Sequence, residues 1–125
     1  NFYPKITASL EKEAIKCIKS MNYKYEIFSV QGSLEVPTKI SIMLDKKKYD
    51  AVIALGCIIK GNTDHYEFIS QAITNTLLSL SVSKKIPISN AILVCRNMKQ
   101  ALDRSSKKIN RAKEAVEAAI SVLDQ

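Results

Sequence analysis

Residues 60–68, KGNTDHYEF, hold His65, the only histidine of the chain, between a Gly-Asn-Thr turn and an aromatic-rich helix start. Imidazole titrates near neutral pH, so a loop histidine can move protons for a reacting group. Gly61-Asn62-Thr63 leads into a helix, whose free amides and dipole favour an anion, and Lys60 adds a positive charge. The chemistry open to this loop is proton transfer beside a bound anion. A histidine that merely completes the first turn of a helix fits the same residues.

Such a loop needs a strand before it and a helix after it, and the hydrophobic pattern supplies both. Residues 49–59, YDAVIALGCII, are a nearly unbroken apolar run, as expected of a parallel strand covered by helices on both faces. Residues 64–84 carry Phe68, Ile69, Ile73, Leu77 and Leu80 at helical spacing, with Asp64 and Glu67 in capping-box positions. ISNAILVC, 88–95, is a further apolar strand entered through Pro87. Upstream, residues 4–21 place Ile6, Leu10, Ala14, Ile15, Cys17 and Ile18 largely on one helical face, with Pro4 tolerated in the first turn. YKYEIFSVQG, 23–32, alternates and is rich in β-formers, which predicts a strand ending at Gly32. Helices are expected over about 36–47, 97–104 and about 109–124. The alternation predicts a single α/β domain over residues 1–125, with a parallel sheet and right-handed crossovers. Ligands then collect beyond the carboxyl ends of the strands, at QGSLE, KGNTDH and CRN.

Composition narrows the partners. The chain has 125 residues, 46% of them hydrophobic, enough for one core. Nineteen Lys and Arg against 12 Asp and Glu give a net charge of +7, which favours anionic partners. The runs Lys46-Lys47-Lys48, Lys84-Lys85 and Lys107-Lys108 fall at expected helix ends, where cations complement the dipole. No aromatic is interleaved with them as a base-stacking platform requires, so nucleic acid is not expected as a partner; nor is a membrane. A basic module binding RNA or a nucleotide is the competing reading. Cys17, Cys57 and Cys95 form no C-x-x-C pair and suggest neither a disulfide framework nor a zinc site. A reducing, cytoplasmic setting is expected. No run reaches the ~18 apolar residues of a membrane helix.

GSLEVP, ALGCIIKGNTDHYEF, QAI and ALDRS, in this order, resemble the lumazine synthase family. The resemblance runs from Phe2 almost to the C-terminus, and the long middle motif is its specific part. It implies a three-layer αβα, flavodoxin-like fold with sheet order 2-1-3-4. The implied reaction condenses 5-amino-6-ribitylaminouracil with 3,4-dihydroxy-2-butanone 4-phosphate to 6,7-dimethyl-8-ribityllumazine, the penultimate step of riboflavin biosynthesis. No metal or organic cofactor is implied. A non-catalytic relative that binds flavin or lumazine is the alternative.

Residue by residue, the resemblance makes His65 the catalytic group. Phe2 takes the place of the aromatic that stacks on the pyrimidine, with Tyr3 where Asn is frequent. Ser33, Leu34 and Glu35 match the segment that holds the ribityl chain, Leu34 replacing a usual Phe and Glu35 keeping the acceptor. Cys57, Ile58 and Ile59 match the strand end whose backbone contacts the pyrimidine. Asn62 and Thr63 match the phosphate loop, and Arg104 matches the arginine that reaches a neighbouring subunit's butanone phosphate. Asn90 replaces a frequent Phe of the substrate pocket.

Two further expectations concern the whole protein. In the family a strand of the type IGIVVS precedes the helix-one Phe inside the sheet, so the natural protein is expected to carry one ahead of Asn1. The shared site makes a ring of five the smallest working unit. Shell-forming members carry a Gly-x-Lys-x-Gly kink between the last two helices. Here that stretch is SSKKIN, 105–110, followed by Arg111, without glycine. Lys107 and Lys108 would also repel their copies across a shell contact. A pentamer is therefore expected ahead of a decamer, and a decamer ahead of an icosahedral shell.

If His65 shuttles protons in imine formation and ring closure, His65→Ala keeps fold and assembly and slows lumazine formation. The loss is expected at about 10²-fold or less, since amine and ketone are already reactive. Steady-state rates across neutral pH measure it, and full wild-type turnover in the variant would remove His65 from the mechanism.

Overall fold

The computed structural model describes residues 3–60, 66–106 and 108–123. Helix α1 spans Pro4–Ser20 and begins with proline in its first turn, where the missing amide costs nothing. It ends in a Schellman turn: Asn22 takes φ 64°, its amide donates to the Lys19 carbonyl (3.0 Å), and the Tyr23 amide donates to the Ile18 carbonyl (3.2 Å). Asparagine tolerates this left-handed position better than most residues. A short 3-10 turn, Ser33–Glu35, leads directly into α2, Val36–Lys46. Strand β1 is Val52–Ile59, α3 is Tyr66–Lys84, β2 is Ile88–Cys95, α4 is Met98–Arg104 and α5 is Arg111–Leu123.

β1 and β2 are parallel and paired over eight positions, from Val52 opposite Ile88 to Ile59 opposite Cys95. Each face of this pair carries its own core. Ile6, Leu10, Ala14 and Cys17 of α1 and Ala112, Ala115 and Val116 of α5 pack with Cys57, Leu93 and Cys95 on one face. Val36 and Ile40 of α2 with Ile73 and Leu77 of α3 pack against Ala54, Ile88 and Ile92 on the other. Helices on both faces of a parallel sheet make the three αβα layers expected, and they explain why both strands are apolar on both sides. Among the described residues, no helix is long and apolar enough to cross a membrane.

The helix expectations hold to within a few residues where they can be followed. α3 is described from Tyr66, so Asp64 of the expected capping box lies outside the described residues. One strand expectation needs correction. Residues 23–30 are extended but lie outside the sheet, which has two strands among the described residues. Alternating Tyr23, Tyr25 and Ile27 express β propensity, but a strand exists only where a neighbour supplies the ladder. The segment nonetheless runs in the same sense as β1. Tyr49 meets Phe28 edge to face (centroids 6.4 Å apart), and its hydroxyl donates to Glu26 (3.3 Å). Further along, Ser33 lies against Gly56 of β1. A cavity of about 1240 Å³ separates the two, bounded by Ile15 and Ile18 of α1, Ile40 and Met43 of α2, and Ile120 of α5.

The α4–α5 connection lacks glycine and is closed by a buried clasp. Ser105 and Asn110 form an antiparallel bridge; the Asn110 side chain donates to the Ser105 carbonyl (3.1 Å) and accepts from the Ala112 amide (2.9 Å). Asn110 thus closes the loop and caps α5 at once. Asn110→Ala leaves the Ser105 carbonyl and the Ala112 amide without these partners, and is expected to cost about 1–3 kcal/mol. Urea unfolding checks it: the midpoint should fall with the slope unchanged.

Candidate active site

Because Ile59 pairs with Cys95, both strands end at the same level and deliver the following residues to one edge of the sheet. Ser33–Glu35 reaches that edge from the 23–31 side. Gly56 makes the approach possible: a Cβ there would lie 3.0 Å from the Ser33 hydroxyl oxygen and 3.5 Å from Ile92. An alanine there would require the Ser33 side chain to give by a few tenths of an ångström. Leu34 and Glu35 are exposed beside it, while Cys57 and Ile59 are buried and Ile58 is half-buried. Burial of these side chains suits a strand end that presents its backbone to a ligand.

Lys60 ends the described part of this loop and sits 5.7 Å from the Tyr66 ring at the start of α3, a cation–π contact. Asn62, Thr63 and His65 lie outside the described residues, as does Phe2.

Arg104 is brought to the same edge by α4. That helix is only seven residues long, and both its ends are fixed. The Asn97 side chain accepts from the Gln100 amide (2.9 Å), and the Gln100 side chain accepts from the Arg96 amide (2.9 Å), a reciprocal cap. At the other end the Ser105 hydroxyl donates to the Ala101 carbonyl (2.8 Å). From this platform Arg104 reaches back, and its Nη1 donates to the Val94 carbonyl (3.0 Å) at the end of β2.

Asn90 is placed elsewhere. It pairs with Ala54, well before the carboxyl end, and its amide donates to the Thr74 hydroxyl of α3 (3.3 Å) while its Oδ1 accepts from the Ile92 amide (2.9 Å). Of the site residues expected from the sequence, the structure thus groups Ser33, Leu34 and Glu35 with Cys57–Ile59, and links Arg104 to the same edge through β2. Within this chain it keeps Asn90 apart. Sequence reasoning did not assign roles to Gly56, Val94 or Cys95. The glycine stands inside the quoted ALGC motif, but only the fold shows what approaches it.

Among the described residues, no three His, Cys, Asp or Glu side chains are grouped to hold a metal ion. Burial pushes the Cys57 thiol up to about 12, with Cys95 adding to the rise. Burial also raises Cys95, against the opposing pull of Arg104. Both thiols are therefore protonated at neutral pH and act as packing and hydrogen-bonding groups rather than nucleophiles.

A profile of the 6,7-dimethyl-8-ribityllumazine synthase family matches residues 1–125. The chain belongs to that family. Among similar proteins is the 6,7-dimethyl-8-ribityllumazine synthase of Methylobacterium radiotolerans, 37% identical over 123 residues, covering 98% of this chain and 75% of the relative. That of Nitrobacter hamburgensis is 34% identical over 128 residues, covering 98% and 78%. That of Buchnera aphidicola subsp. Baizongia pistaciae is 40% identical over 114 residues, covering 90% and 72%. Membership fixes the fold class as the flavodoxin-like αβα arrangement, of which β1 and β2 are the described strands.

The raised Cys57 thiol has a consequence for stability. Unfolded thiols ionise near pH 8.5, whereas folded Cys57 holds its proton to about 12. The native state thus binds more protons over that interval, and stability must fall as pH rises through it. Urea unfolding at pH 7, 9 and 10 should show a decline that Cys57→Val makes shallower; equal slopes in both proteins would contradict the assignment.

Proposed function

We propose that the carboxyl-end cluster of this chain condenses 5-amino-6-ribitylaminouracil with 3,4-dihydroxy-2-butanone 4-phosphate. The chain is a family enzyme of riboflavin biosynthesis, and the products are 6,7-dimethyl-8-ribityllumazine, phosphate and water. The nucleophile is the substrate's own amine. It attacks the butanone carbonyl and forms an imine with loss of water; phosphate leaves, and ring closure releases a second water. The protein's task is orientation, an anion cradle and proton transfer.

Ser33, Leu34 and Glu35 take the ribityl chain, the Glu35 carboxylate accepting from its hydroxyls. The backbone of Cys57–Ile59 meets the pyrimidine edge, and Phe2 stacks on the ring. Asn62, Thr63 and Arg104 take the butanone phosphate, for which a planar guanidinium offers two parallel donors. His65 shuttles the protons. Asn90 belongs to the pocket by its sequence position only. Its amide donates to the Thr74 hydroxyl within the chain.

The observation that carries this reading is the convergence at one sheet edge: Ser33 lies against Gly56 of β1, while Arg104 docks on Val94 and Cys95 at the end of β2, level with Ile59. The ribityl segment and the phosphate arginine thus leave each chain at the same sheet edge, where the arginine can serve a neighbour's loop. The enzyme works in the cytoplasm as a homo-oligomer in which Arg104 serves a neighbour's loop. A pentamer is favoured, since the 105–110 connection is closed by the Ser105–Asn110 clasp instead of a glycine kink.

Light scattering on purified full-length protein, run beside a fluorescence assay for lumazine formation, tests both parts. About five subunits with turnover is expected. A mass near 60 subunits would refute the argument from the missing glycines, a monomer would refute the shared site, and substrate binding without turnover would refute catalysis.

A further inference from the structure

Arg104 Nη1 lies 3.8 Å from the Cys95 sulfur as well as 3.0 Å from the Val94 carbonyl, so one nitrogen of the guanidinium is held by two acceptors at the end of β2. Cys95 is 1% exposed, in a core with Leu10, Ala14, Leu93 and Ala101. It cannot move without repacking that core. Cys57 of β1 belongs to the same core. An arginine side chain has many rotamers, and holding one of its nitrogens removes most of that freedom before any ligand arrives. The backbone carbonyl alone leaves the planar fork free to pivot about one hydrogen bond, whereas two acceptors fix its plane.

We infer that Cys95 is a positioning residue for Arg104, holding its guanidinium plane at the sheet edge so that the remaining donors face the phosphate of the four-carbon substrate. This rests on the reading of Arg104 as the phosphate ligand. Cys95 touches no substrate atom; it acts through the arginine.

The test compares Cys95→Val, which fills the site without an acceptor, with Cys95→Ser, which keeps one. KM for 3,4-dihydroxy-2-butanone 4-phosphate should rise about three- to tenfold in Cys95→Val, the size of one modest hydrogen bond. kcat and the KM for 5-amino-6-ribitylaminouracil should stay unchanged, and Cys95→Ser should recover most of the loss. In an Arg104→Lys background the Cys95→Val change should have no further effect on that KM. The ¹⁵N signals of the Arg104 guanidinium, identified by their loss in Arg104→Lys, should shift and broaden in ligand-free Cys95→Val. Should Cys95→Val fail to fold, Cys95→Ala serves for the same measurements. If Arg104→Lys raises KM while the cysteine variants move neither the guanidinium signals nor KM, the inference is wrong. A rise in both KM values together with a lost guanidinium dock in Cys95→Ser would make Cys95 a packing residue and overturn it equally. If Arg104→Lys leaves KM unchanged while the signals shift in Cys95→Val, the dock stands and the phosphate reading of Arg104 falls.

Discussion

The parallel ladder between β1 and β2 is the constraint on which the rest of the structure depends. Its register sets Ile59 level with Cys95, so two loops that are far apart in sequence leave the sheet at one edge. A parallel pair needs a crossover connection, and α3 supplies it. That helix then has to bury Ile73 and Leu77, which it does against Ile88 and Ile92 of β2 and against α2. The opposite face is closed by α1 and α5. Moving either strand by one residue would exchange the two faces and pull apart both cores.

The same ladder explains the shape of the other side of β1. Its second edge faces a cavity, across which the extended segment 23–31 runs in the same sense. Along its length that segment meets three lysines: Lys47 pairs with Glu26, Lys39 lies over Phe28, and Lys19 lies over Tyr25. Exposed contacts of this kind are worth little each, so the position of 23–31 follows mainly from its two anchors. One is the Schellman turn after α1, and the other is the approach of Ser33 to Gly56.

At the candidate site, rigidity comes from short-range polar contacts and not from hydrophobic area. α4 is too short to be stable alone, yet Asn97, Gln100 and the Ser105–Asn110 clasp fix both its ends. A short element so tied can aim one side chain. Arg104 is that side chain, and it rests on the Val94 carbonyl and the Cys95 sulfur at the end of β2.

Much of this was legible in the sequence, for reasons that can be named. ISNAILVC is mostly apolar and preceded by Pro87, and it forms a strand over those same eight residues. α1, with its apolar face of Ile6, Leu10 and Ala14, and α5, with Ala112, Ala115 and Val116, follow from periodicity because one buried face decides an amphipathic helix. The long ALGCIIKGNTDHYEF stretch identified the family, since its residue types recur in a fixed order that composition alone does not produce. What the sequence could not decide was whatever depends on a partner distant along the chain. Residues 23–32 have the propensity of a strand, but whether they enter a ladder depends on which backbone lies beside them. Gly56 reads as a strand glycine until Ser33 is seen 3.0 Å from its missing Cβ. Cys95 reads as a small apolar residue until Arg104 turns back from α4 onto its sulfur. Residue type and spacing determine which elements form and which family they build; only the tertiary contacts decide what each side chain holds in place.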